Sequence, residues 1–67
     1  MRVKAAPPVD LVVDLPAEQA YALAELCKRI GWVDVRSNAA GDGEARNMLL
    51  AIERVRGALE QAGVSVR

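Results

Sequence analysis

Hydrophobic and polar residues alternate along "VDLVVDL": Val9, Leu11, Val13 and Leu15 fall on one side, Asp10, Val12 and Asp14 on the other. A period of two is that of a half-buried strand, so residues 9–15 are predicted to form one. Its amides and carbonyls need a neighbour, for which the candidates are the same strand of another copy, the C-terminal "VSVR" and "WVDVR". From Pro16 the period changes. At 100° per residue Ala20, Leu23, Ala24, Cys27 and Ile30 form one stripe, widened by Ala22 and Leu26, with Tyr21, Glu25 and Lys28 facing away. Pro16 suits the first helical position and Glu18 the first turn, so a helix is predicted to about Ile30, stopped by Gly31. A longer helix follows Asp42 as N-cap, carries Glu44 in its first turn and reaches about Ala62, before Gly63. Its seam is Met48, Ala51, Ile52, Val55, Leu59 and Ala62, extended by Ala45, Leu49 and Ala58 to roughly half the circumference.

Between the helices, "WVDVRSNAAGDG" holds Asp34, which can cap a short turn through "VRSNA" ahead of the "AGDG" bend. Before Val9, "APP" makes residues 1–8 an extended arm. The predicted fold class is α+β and mostly helical. One N-terminal strand, a helix, a short connector turn or helix and a long second helix form a single domain over residues 9–67, completed by dimerisation. The dimer is inferred because both apolar arcs are wider than the roughly 100° a surface helix needs to cover a core. Two helices and a strand cannot cover each other that fully, so a second copy is expected to do so.

Size sharpens this expectation. A chain of 67 residues hides only about 60% of the surface its unfolded form exposes, and small folds make up the shortfall with disulfides, a metal or a second subunit. One cysteine and no histidine leave neither a bridge nor a zinc set, so no metal or cofactor is expected and self-association remains. Cys27 itself lies mid-stripe and reads as a small buried apolar residue. Nine basic residues balance nine acidic ones, so no net field draws the chain to nucleic acid or an anionic membrane. No stretch approaches the roughly 18 apolar residues of a membrane span and no cleavage-like leader is visible, so a cytoplasmic protein is expected.

Catalysis is not expected either. General acid–base work at neutral pH commonly uses histidine, which is lacking. Glu18, Glu25, Glu53 and Glu60 read as solvated helix faces with ordinary ion-pair spacings, Glu25 to Arg29 and Arg56 to Glu60. "GDGEA" precedes a helix but lacks the lysine and Ser/Thr of a phosphate loop, and Asp42 would repel an anion. The aspartates miss the calcium-loop spacing. With no convergent site, no small-molecule substrate is expected.

Trp32 is one of only two aromatic residues, and it stands between the helices rather than in a stripe. It reads either as a lid over the open end of the helix pair or, with Arg29, Arg36 and Asn38 around it, as an anchor for another macromolecule, since Trp and Arg dominate interface hot spots. Leu50, opposite the second helix's seam and near Gly57, marks a second contact patch. The candidate partner-binding residues are therefore Arg29, Trp32, Arg36, Asn38 and Leu50.

The order strand, helix, turn, helix over "VDLVVDLPAEQAYALAELCKRIG" resembles the ribbon-helix-helix repressors and antitoxins. That likeness implies paired strands entering a major groove and a DNA-binding regulator or antitoxin. The outward strand set Asp10, Val12 and Asp14 is poor for that task, although Arg2 and Lys4 can meet phosphates, so nucleic acid is a disfavoured partner. A more specific pattern is K-R-x-G-W-x-D-x-R-x-N at Lys28, Arg29, Gly31, Trp32, Asp34, Arg36 and Asn38, followed by Met48, Ala51, Val55, Arg56, Ala58 and Leu59. It resembles small uncharacterised proteins of proteobacterial prophages and conjugative elements. The resemblance implies a mobile-element accessory protein that binds a larger host or element protein, such as an inhibitor of a bacterial defence system of the anti-CRISPR kind.

Overall fold

A computed structural model describes residues 7–65. Three helices follow one another, α1 Ala17–Arg29, α2 Trp32–Asn38 and α3 Asp42–Gln61, and both α1 and α2 pack on α3. Residues 7–16 have no regular structure. The predicted strand and the α+β class are therefore corrected: the described residues contain no strand, and the fold is helical. Alternation orders side chains, but a strand also needs hydrogen bonds to a neighbouring strand. Of its three candidate partners, "WVDVR" is itself helical in α2. The strand that the ribbon-helix-helix likeness implies is likewise not formed among the described residues. Of the predicted arm, residues 1–6 lie outside the described ones, as do Arg2 and Lys4.

The helix ends follow from local chemistry. Pro16 stands one position earlier than predicted, as N-cap of α1, and its carbonyl accepts from the amides of Gln19 and Ala20, both at 3.0 Å. The other two helices start alike. Gly31 and Gly41 are their N-caps in extended conformation, and the third helical residue is an acid, Asp34 or Glu44. The Asp34 carboxylate accepts from the Gly31 amide at 2.9 Å, and Glu44 Oε1 from the Ala40 amide at 2.9 Å. Each acid thus satisfies an amide that precedes the helix and places negative charge at the positive end of the dipole. Glycine has no side chain to return the bond, so α2 starts with half a capping box, while in α3 the carboxylate reaches one residue further, to the amide before the N-cap. The prediction that Asp34 and Asp42 are N-caps is thus corrected: both lie inside the first turns.

α3 ends in a Schellman motif: the Val64 amide donates to the Leu59 carbonyl at 2.8 Å and the Gly63 amide to that of Glu60 at 3.0 Å. This requires Gly63 at φ 90°, a conformation glycine adopts without steric cost.

The buried set is Ala20, Ala24 and Cys27 of α1, Val35 of α2 and Ala45 of α3. Four of these five are small, so little apolar volume leaves water where the helices meet. The larger stripe residues Leu23, Ile30, Met48, Leu49, Ile52 and Leu59 are half-buried. The radius of gyration, 13.9 Å, exceeds the about 11 Å of a compact domain of this length.

Candidate contact surface

The short α2 helix is fixed to α3 at their corner. Its Val35 is buried, while Arg36 Nε donates to Asp42 Oδ1 at 2.8 Å and Arg36 Nη1 to the Ala39 carbonyl at 3.4 Å. The guanidinium therefore spans from the last turn of α2 to the first residue of α3. Ser37 Oγ and Asn38 Nδ2 both donate to the Asp34 carbonyl, at 2.8 and 2.9 Å. Both side chains thus fold back along α2 onto a carbonyl of its first turn.

These bonds sort the five candidate residues. Arg36 and Asn38 are committed to holding α2 and its corner. Arg29 pairs with Glu25 across one turn at 3.0 Å, the favourable order with the acid first. The reverse-ordered pair Arg56–Glu60 is longer, at 3.8 Å. Trp32 is the first residue of α2 and keeps 44% of its surface in water. Leu50 is 50% exposed, about 140° round α3 from buried Ala45. Of the five, three polar side chains thus have partners within the fold, and two apolar ones face solvent on different helices.

Val33 was missed. At 79% exposed it lies about 160° round α2 from buried Val35, so α2 turns a valine outward beside a half-exposed tryptophan. The signal was available once a helix begins at Trp32 rather than after Asp34, because the wheel then sends Val33 away from the core.

The surface offers little chemistry. No polar or charged residue is buried among the described residues, and none of their acidic or cysteine side chains cluster as metal ligands. Cys27 is a buried free thiol. The α3 N-terminus is already supplied with the carboxylates of Asp42 and Glu44. No helix among the described residues is long and apolar enough to cross a membrane.

Residues 1–67 match a family model described as "Family of unknown function (DUF7706)". Neither the curated proteins nor the solved structures contain a match.

Proposed function

We propose that this chain, which belongs to the DUF7706 family of unknown function, is a non-enzymatic module that acts in the cytoplasm by binding a larger protein. The observation that carries this reading is the placement of Trp32, Val33 and Leu50 in solvent on a framework with no buried polar or charged side chain among the described residues. Exposed apolar anchors beside arginines fit an interface, since aromatic residues and Arg concentrate at interface centres. The outer side of α2, Trp32 with Val33, is the main contact, and Leu50 is the second. Arg29, Arg36 and Asn38 serve it indirectly by holding the end of α1 and the α2 frame. The narrower reading is a mobile-element accessory protein that occupies and inhibits a component of a bacterial defence system.

Val33→Asp tests the contact, because a carboxylate at so exposed a site leaves the helices intact while charging an apolar contact. Tagged wild type and variant, matched by circular dichroism, are used to capture proteins from a bacterial lysate. A partner retained by wild type and reduced at least about tenfold by the variant supports the site; identical captured sets remove it. For the narrower reading, the chain is expressed in cells carrying an active CRISPR system, and phage plating is counted. Restored plating supports inhibition, and unchanged plating removes it.

A further inference from the structure

The apolar surface that α1 and α3 leave uncovered is continuous. Leu23, Leu26, Ile30, Ala51 and Val55 line a depression of about 170 Å³ between the helices. Beside it lies a groove of about 600 Å³, which shares Leu23 and Val55 and is bounded by Val9, Leu11, Val13 and Leu15 on one side and Ala58, Leu59 and Ala62 on the other. The whole runs along α3, and Val33 is not among the residues that line it.

We propose that a second copy of this chain covers this face, α3 packing along α3 of its partner. Two observations select that occupant. The first is exposure: Leu26, Val55 and Leu15 along this face keep 56%, 41% and 38% of their surface in water, apolar surface that the single chain leaves uncovered. The second is register. Ala51, Val55, Ala58 and Ala62 are all exposed along α3 with spacings of four, three and four, the seam of paired helices. Three of them are alanine, so two backbones can approach closely, as Ala20 and Ala24 already allow between α1 and α3. Equal numbers of acidic and basic residues mean that no net repulsion opposes the pairing.

Sedimentation equilibrium of the full chain, from about 1 to 200 µM, tests this on the scale of ordinary homodimer affinities. The expected mass is twice 7.2 kDa. Val55→Glu and Ala58→Glu place carboxylates at positions exposed in the single chain, so both should keep their helical dichroism and weaken association at least about a hundredfold, whereas Val33→Glu should leave the mass unchanged. Isotope-filtered NMR on a mixture of labelled and unlabelled wild type needs no variant, and should show inter-chain contacts from the Val55 and Leu26 methyls. A single-chain mass throughout the range overturns the proposal, whether the face then closes on its own arm or waits for a different protein. So does association that survives both glutamates, or the absence of inter-chain contacts at Val55. The proposed partner contact on α2 is read separately, since Val33 lies outside this face.

Discussion

At the residue scale, single positions set where this chain stops and turns. Gly63 closes α3 at φ 90°, and a Cβ built there meets nothing within 4 Å. Any loss on Gly63→Ala is thus backbone strain alone. An alanine in the left-handed region costs roughly 1–2 kcal/mol, so the unfolding free energy should fall by that amount, read as a lower urea midpoint at unchanged slope; an unaltered midpoint would show that the motif opens freely. Asp34 acts through a different atom. Its carboxylate binds the Gly31 amide and its carbonyl receives Ser37 and Asn38, so one residue ties both ends of a two-turn helix. These roles could be read only in part from sequence. An acid near a helix start was legible at Asp34, Asp42 and Glu44, but whether it caps or sits in the first turn depends on which residue leaves the helical conformation first, and two glycines do so.

At the element scale, the helices were legible and the strand was not. Apolar spacing of three and four, with glycines at the stops, predicts α1 and α3 to within about one residue, because a helix satisfies its own backbone. The alternation in residues 9–15 survives in the structure in another form. Val9, Leu11, Val13 and Leu15 line the groove against α3, and Val12, on the other side, is 94% exposed. The period of two is real, but it orders an extended segment without pairing it. The α2–α3 corner makes a further prediction. Arg36 and Asp42 are 43% and 83% exposed, so their coupling in a double-mutant cycle should be no more than about 1 kcal/mol and should fade in high salt. A larger, salt-insensitive coupling would mean that the corner is shielded by a partner. Arg36→Glu is for this reason a poor probe of binding, since it also disturbs the attachment of α2.

At the scale of the whole molecule, small residues occupy the helix contacts and larger ones remain partly wet, so the single chain has little buried apolar surface to oppose its conformational entropy. If a second copy supplies the remainder, stability depends on concentration. The thermal midpoint should rise on the order of 3–5 °C for each tenfold increase in protein, measured by circular dichroism; a midpoint independent of concentration would mean that the chain stands alone. The sequence by itself determined the helices and their stops, and the scarcity of reactive groups, because periodicity, glycine and composition act locally or require no arrangement in space. Only the tertiary structure decided that residues 9–15 remain unpaired, that Arg36 and Asn38 are occupied within the fold, and that Val33 faces outward. Each depends on which neighbours the chain brings within bonding distance, and that is set by how α1 and α2 dock on α3.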